Sequence, residues 1–150
     1  MRLARRLALL APILSAFAPL ALRAAPQGAA HHMVIHVNSP TRETMVEALH
    51  NAANVIDYFR ERGSAAAVEI VANGRGVTMF VTGMCPVSGE LADFHARYPE
   101  TVFDACARSL AAVEKALNRK LEVMPLARLV PSGAARILEL EEQHYAYLKP

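Results

Sequence analysis

Short apolar runs rich in β-branched residues alternate along the chain with longer segments whose apolar positions recur every three or four residues. The short runs predict buried strands, and the longer segments predict amphipathic helices. The predicted strands are 32–37, 68–72, 101–105, 127–130 and 145–148. Strands that alternate with helices form βαβ units. We therefore expect an α/β three-layer sandwich with a mainly parallel sheet and helices on both faces.

The first helix is predicted to run from Ser39, as N-cap, to about residue 62. Pro40 would occupy the first helical position, where its missing N–H costs nothing, and Gly63 would end the helix. The apolar side chains of this segment lie on one helical face, at Met45, Leu49, Ala52, Ile56 and Phe59. Further helices are predicted at 88–97, at 108–117 and from Ser132, as N-cap, to about residue 143.

The segment 73–82 permits two interpretations. By residue preference, 77–82 is a strand, and Asn73-Gly74 before it is typical of a hairpin turn. A family resemblance described below favours a helix instead.

The first 30 residues differ in character from the remainder. Arg2, Arg5 and Arg6 precede an apolar stretch at 7–22, and small residues follow it. This order is typical of a secretory signal peptide, and we expect cleavage near 24–30. The alternative is an uncleaved anchor, although the stretch is short for a membrane span. The sequence thus predicts an exported, periplasmic domain at 31–150, with no membrane association after cleavage.

The positive charge of the chain belongs mostly to this leader. The formal net charge is +2, and subtracting the four arginines before residue 24 leaves −2 for the rest. A mildly acidic body without clustered Lys and Arg argues against nucleic acid as a partner.

In an open α/β sheet, ligands bind outside the carboxyl ends of the strands. The loops that follow the predicted strands contain five residues with suitable chemistry, namely Asn38, Asn73, Arg75, Cys106 and Ser132. Among them Cys106 lies between a strand and the helix after it. Backbone N–H groups at a helix N-terminus stabilise an anion, so a thiolate is favoured there. The alternative is a structural cysteine buried as a small apolar side chain.

Cys85 is the second of two cysteines in the chain. In an exported protein it could form a disulfide with Cys106, or resolve a mixed disulfide formed there. It could equally be structural or a plain free thiol. No C-x-x-C redox motif is present.

Histidines at 31, 32 and 36 are the other candidates for chemistry. His32 and His36 would face the same side of a strand and could contribute to a metal site. No familiar metal-ligand spacing accompanies them, so we predict neither a metal nor another cofactor.

Three segments together resemble the DsrE/DsrF-like family, which has the YchN-like fold. They are VEIVANGRGV (68–77), VFDACARSL (102–110) and LVPSGAARILELEEQHYAYLKP (129–150). The resemblance extends over essentially all of 32–150. It implies a flavodoxin-like α/β sandwich that assembles into homo-oligomers, as trimers or hexamers.

The resemblance also implies a sulfur relay in which Cys106, by the motif around it, carries sulfane sulfur as a persulfide. Asn38, Asn73, Arg75 and Ser132 would form the surrounding rim, and a partner protein would donate or accept the sulfur. The expected function is a periplasmic sulfur carrier or sulfurtransferase-like protein. The alternative is a non-catalytic module that binds a small ligand or a protein, with a structural cysteine.

Overall fold

The described part of the protein, residues 31–150 of a computed structural model, contains five strands, four α-helices and one 3₁₀ helix. The expected signal peptide and its cleavage site lie outside the described residues. The elements in chain order are β1 (His31–Val37), α1 (Arg42–Arg60), β2 (Ala66–Ala72), the 3₁₀ helix (Gly74–Phe80), α2 (Ser88–Arg97), β3 (Val102–Cys106), α3 (Ala107–Leu117), β4 (Arg128–Val130), α4 (Gly133–Glu142) and β5 (Ala146–Leu148).

All strand pairs of the sheet are parallel, and the strand order is β4-β3-β2-β1-β5. The crossovers from β1 to β2, β2 to β3 and β3 to β4 step in one direction, whereas the crossover from β4 to β5 returns across the sheet. Because such crossovers are right-handed, the helices of the first three lie on one face and α4 lies on the other. The α/β class with helices on both faces, expected from the sequence, is confirmed.

The two faces of the sheet are covered unequally. The larger apolar core lies on the α1 face, where side chains such as Ile35, Ile70 and Phe103 pack against α1, α2 and the 3₁₀ helix. On the other face, a small cluster joins the sheet to α4 through Val34, Val71, Ile137 and Leu140. Few apolar contacts therefore hold α4 on the sheet, so polar contacts contribute more to its position.

The start of α1 differs from its prediction. The N-cap is Thr41, whose side chain accepts a hydrogen bond from the Thr44 N–H, and Ser39 lies outside the helix. The Ser39 hydroxyl instead accepts a hydrogen bond from the Thr41 N–H. Thr41 is extended and can place its hydroxyl over the first turn, so Pro40 precedes the cap. Gly63 has a φ of +71°, the left-handed conformation expected after a helix.

The segment after β2 is helical, so the hairpin interpretation is wrong. Residues 74–80 form 3₁₀ turns, and only Val81 makes a bridge of the strand type, antiparallel to Val123. Gly76 lies against the end of β1, where an added Cβ would come within 2.4 Å of the Val37 carbonyl oxygen. Because Gly76 approaches the backbone so closely, the chain can turn at the carboxyl end of β1. Burial of Val77 and its neighbours then holds the 3₁₀ helix in this position.

Beneath α4, four charged side chains form one network. Glu69 of β2 and Asp104 of β3 are almost fully buried. Arg136 of α4 donates two hydrogen bonds to Glu69, at 2.6 and 3.0 Å, and Arg128 of β4 donates two to Asp104, at 2.8 and 3.0 Å. Such two-point contacts fix the orientation of both partners. The network therefore sets the position of α4 on the sheet.

The two carboxyl groups of this network have opposite pKa shifts. Burial raises the pKa of Glu69 to about 7, against the contact with Arg136 and together with a hydrogen bond to Asp104. Asp104 is also buried, but its contacts with Glu69 and Arg128 lower its pKa below the ordinary value. Because the two pKa values shift in opposite directions, Asp104 ionises at a lower pH than Glu69.

The raised pKa of Glu69 predicts how stability depends on pH. Between about pH 4.5 and 7 the folded protein binds more protons than the unfolded chain, so its free energy of unfolding falls as the pH rises, by about 3 kcal/mol in all. Glu69→Gln, which resembles the protonated form, should remove this decline. Urea unfolding at pH 5 and pH 8 measures it, and Glu142→Gln, an exposed glutamate at the end of α4, is the control. An unchanged decline in Glu69→Gln would contradict the assignment.

Candidate functional site

The carboxyl ends of β3 and β4 form a crevice between two diverging helices. α3, which follows β3, covers one face of the sheet, and α4, which follows β4, covers the other. Ligand sites of open α/β sheets lie at such topological switch points. Cys106 is the last residue of β3 and the N-cap of α3, and Ser132 is the N-cap of α4. The fold thus places two of the predicted site residues at this crevice.

Cys106 lies against the first residue of α4. A Cβ added at Gly133 would be 3.1 Å from the Cys106 Cβ and 3.0 Å from the Asn73 Cβ. Asn73, Cys106 and Gly133 therefore meet at one point, and the missing side chain of Gly133 makes this approach possible. The Cys106 side chain is only 4% exposed, so it lies below the surface of the crevice.

Four groups near the Cys106 sulfur can donate hydrogen bonds to its thiolate. They are the Ser109 hydroxyl and the backbone N–H groups of Gly133, Ser109 and Arg108. Burial by itself raises the pKa of this thiol, but these donors outweigh it and hold the pKa below the ordinary value. As a thiol, Cys106 closes no capping hydrogen bond with α3, so the donors act mainly on the thiolate. Two helix N-termini converge on one sulfur atom, and both favour negative charge there.

Ser109 and Gly133 were not identified as site residues by sequence analysis. The Ser109 Oγ accepts a hydrogen bond from the Gly74 N–H at 2.8 Å, which leaves its own proton free to point at the sulfur. A serine three residues after an N-cap cysteine was a usable local signal. Gly133 belonged to a recognised turn, but its contact with Cys106 depends on the packing of α4.

The side chain of Asn73 continues toward the β5 edge. Its Oδ1 is 2.9 Å from His36 Nε2, and His36 Nδ1 is 2.7 Å from the Tyr147 hydroxyl. These contacts fit an imidazole that donates from Nε2 to Asn73 and accepts from Tyr147 at Nδ1. His36, a candidate metal ligand, thus has both nitrogens engaged, and His32 packs near the Tyr145 ring. Within residues 31–150 no three His, Cys, Asp or Glu side chains form a metal-binding group.

The remaining predicted residues lie at or outside the crevice. The exposed Asn38 contributes its backbone carbonyl, which accepts a hydrogen bond from the Gly76 N–H at 3.2 Å. Arg75 is exposed on the 3₁₀ helix. The Ser132 hydroxyl accepts a hydrogen bond from the Ala135 N–H, so it caps α4 as predicted. Asn38, Arg75 and Ser132 thus lie at the rim of the crevice. The hydrogen bonds of Asn38 and Ser132 do not involve the Cys106 sulfur.

Cys85 differs from Cys106 in its surroundings. Both are free thiols in the structure, and no disulfide joins them. Cys85 is half-buried against the main core, and burial raises the pKa of its thiol despite a backbone N–H from Val87, with Glu90 adding to the rise. The two cysteines thus have pKa shifts of opposite sign, and Cys106 is the better thiolate.

A largely apolar cavity of about 830 Å³ lies beside the crevice. It is formed by the outer face of α3, the start of the 3₁₀ helix and the loop before α2. The lining residues are Pro40, Gly74, Arg75, Thr78, Met84, Pro86, Arg108, Ser109, Ala112, Val113, Ala116 and Leu117. Ser109 is shared between this cavity and the surroundings of Cys106.

The fold and site define an α/β protein with a buried cysteine of lowered pKa at a topological switch point. A protein of unknown function from Methanobacterium thermoautotrophicum, MTH1491, has a similar structure: the TM-score is 0.67 and the identity 19%, over 80% of this chain and 99% of that one. This likeness concerns the fold alone. No family model matches the sequence. No curated protein matches it either. None of the helices in 31–150 has the length and apolar character needed to cross a bilayer.

The donors around Cys106 predict the titration of its thiol. In a Cys85→Ser background, the pH dependence of alkylation should give a Cys106 pKa below the free value of about 8.5. Ser109→Ala removes one donor and should raise that pKa, whereas Ser88→Ala, an exposed serine on α2, should not. A wild-type pKa above the free value would show that burial outweighs the donors.

The contact at Gly133 predicts a cost for a side chain there. Gly133→Ala should push α4 away from Cys106, lower the free energy of unfolding by about 1–2 kcal/mol and raise the thiol pKa. Gly89→Ala is the matched control, because an added Cβ at that helical glycine meets nothing within 4 Å. The control should be neutral or stabilising by up to about 1 kcal/mol. Chemical denaturation and thiol titration report both effects, and equal behaviour of the two variants contradicts the prediction.

Proposed function

We propose that this protein is a sulfur carrier of the DsrE/DsrF-like type, which holds sulfane sulfur as a persulfide on Cys106. The observation that carries the proposal is the position of the Cys106 sulfur between two helix N-termini, with its pKa lowered by their donors. A thiolate is the reactive form of cysteine in sulfur exchange. The family resemblance of the sequence supports the same role.

The loading step is an exchange between sulfur atoms. The Cys106 thiolate attacks the terminal sulfur of a persulfide donor, a new S–S bond forms on Cys106, and the old S–S bond breaks. The donor leaves as a thiolate, so charge and oxidation level are conserved and no external oxidant is needed. Delivery is the same exchange in reverse, to the thiolate of an acceptor protein.

The donors around Cys106 suit the persulfide as well as the thiolate. A persulfide anion carries its charge on the outer sulfur, where the Ser109 hydroxyl and the Gly133 N–H can stabilise it. Because Cys106 is only 4% exposed, access to its sulfur is restricted to small thiols and to a partner protein that docks at the rim. Burial thus protects the persulfide, and the donors replace the hydrogen bonds that water would make to its charge.

The rim residues have supporting roles in this proposal. Asn73 orients the wall next to Cys106 through its contact with His36, and Ser132 fixes the N-terminus of α4. Asn38 and Arg75 lie at the entrance and meet the partner protein. Cys85 has a structural role, because its raised pKa makes it a poor resolving thiol.

Export to the periplasm and assembly into trimers or hexamers belong to the same proposal. Large apolar side chains are exposed on the α4 side of the sheet, at Leu138 and Tyr147. Exposed apolar groups of this size are typical of contact surfaces between subunits when they adjoin one another.

Sulfur loading tests the proposal. After incubation with a persulfide donor and removal of excess reagent, intact-mass measurement should show the addition of one sulfur atom. The addition should disappear in Cys106→Ala, persist in Cys85→Ser and be released by a reductant. Equal loading of wild type and Cys106→Ala, or no loading of either, would contradict a carrier role for Cys106.

A second candidate function rests on the apolar cavity beside α3. Its volume of about 830 Å³ lies within the range of small-molecule sites, about 300–1,000 Å³. In this alternative the protein is a non-catalytic binding module and Cys106 is structural. Absence of sulfur loading together with specific ligand binding would favour it.

A further inference from the structure

The cavity beside α3 has walls that are tied together. The Gly74 N–H donates a hydrogen bond to the Ser109 hydroxyl at 2.8 Å, which joins the start of the 3₁₀ helix to α3. The Gly76 N–H donates to the Asn38 carbonyl at 3.2 Å, and Gly76 packs on the end of β1. The Thr78 hydroxyl donates to the Arg75 carbonyl at 3.0 Å. The walls are thus fixed by contacts of the protein itself, as in a preformed binding site.

The lining combines apolar surface with two cations. Ala112, Ala116 and Leu117 of α3 face the space, with Met84 and Pro86 opposite them along the loop. Arg75 and Arg108 also line it, and within residues 31–150 neither guanidinium makes a salt bridge or a hydrogen bond. Arg108 and Ala112 are four residues apart, so they share one face of α3. The guanidinium of Arg108 therefore lies on the same side of the cavity as the apolar surface of α3.

We propose that this cavity binds a small organic anion with an apolar body. The acidic group, a carboxylate or a sulfonate, is held by Arg75 and Arg108, because guanidinium groups recognise such anions with paired hydrogen bonds. The body packs on Ala112, Ala116 and Leu117, which removes their apolar surface from water. Binding in this cavity requires no chemistry at Cys106 and is independent of sulfur carriage.

The charges of the described residues favour this occupant over other classes. The lining contains two arginines and no Asp or Glu, so a cation finds no partner there. Inorganic phosphate or sulfate would pair with the arginines but would leave the apolar surface of the cavity exposed to water. A neutral apolar molecule would leave both guanidinium groups unpaired. An amphipathic anion satisfies both parts of the lining.

Binding of decanoate, measured by titration calorimetry on the full chain, tests the proposal. Decanol and decylammonium are the probes that separate the acidic group from the chain. We expect decanoate to bind at least about tenfold more tightly than decanol, and decylammonium not to bind. The double variant Arg75→Gln/Arg108→Gln should reduce decanoate to the affinity of decanol, whereas Arg119→Gln, an exposed arginine outside the lining, should have no effect.

A second variant addresses the apolar wall. Ala112→Phe fills the cavity and should abolish decanoate binding, whereas Ala111→Phe, an exposed neighbour outside this lining, should preserve it. Urea unfolding of both variants checks that they fold. Cys106→Ser should bind decanoate like the wild type, so failure of sulfur loading and failure of this proposal are separate results.

Three results would overturn the proposal. They are no binding of decanoate, equal affinity for decanoate and decanol, and binding that survives Ala112→Phe. Self-association that Ala112→Phe abolishes, with no decanoate binding, would instead assign the surface to a second copy of the chain.

Discussion

The two-point ion pair between Arg136 of α4 and Glu69 of β2 holds the helix on which the candidate site depends. α4 covers its face of the sheet through few apolar side chains, mainly Ile137 and Leu140. The buried carboxyl group of Glu69 therefore specifies where the helix lies, because Arg136 must reach it. Removing one partner of a buried pair costs about 3–5 kcal/mol, since a charged group is left without its partner. The same contact places Gly133 against Cys106.

The lowered pKa of Cys106 follows from two opposing effects at one atom. Burial disfavours the thiolate, whereas the donors from α3 and from Gly133 of α4 favour it, and the donors prevail. Cys85 is also partly buried, but only one backbone N–H favours its thiolate, and the negative charge of Glu90 opposes it. The pKa of Cys85 is therefore raised. The comparison shows that neighbouring groups, not the residue type, decide which of the two cysteines is an activated thiol.

The topology explains why the donors meet at this cysteine. α3 and α4 leave adjacent strands toward opposite faces, so their N-termini flank the same crevice. Helices on a single face would bring only one N-terminus to the sulfur. The cavity beside α3 shares Ser109 with the site. The polar surroundings of Cys106 lie on one side of this serine, and the apolar cavity lies on the other.

The sequence by itself determined the elements whose signals are local. Periodicity gave the strands and helices nearly to their ends, and Ser132 and Gly63 were identified from hydrogen bonding and backbone freedom within a few residues. It also indicated the position of Cys106 before a helix. Local signals misled at two places: Ser39 was predicted as the N-cap where Thr41 caps α1, and residue preference indicated a strand in 77–82 where residues 74–80 are helical.

Only the tertiary structure decided the rest. The contact of Gly133 with Cys106, the proximity of Glu69 to Asp104, and the pairing of Asn73 with His36 each join residues at least 27 positions apart. Such contacts depend on strand order and on which face each helix covers. Side-chain chemistry and local spacing carry no record of either, so the sequence indicated a candidate thiol and the fold supplied the groups that lower its pKa.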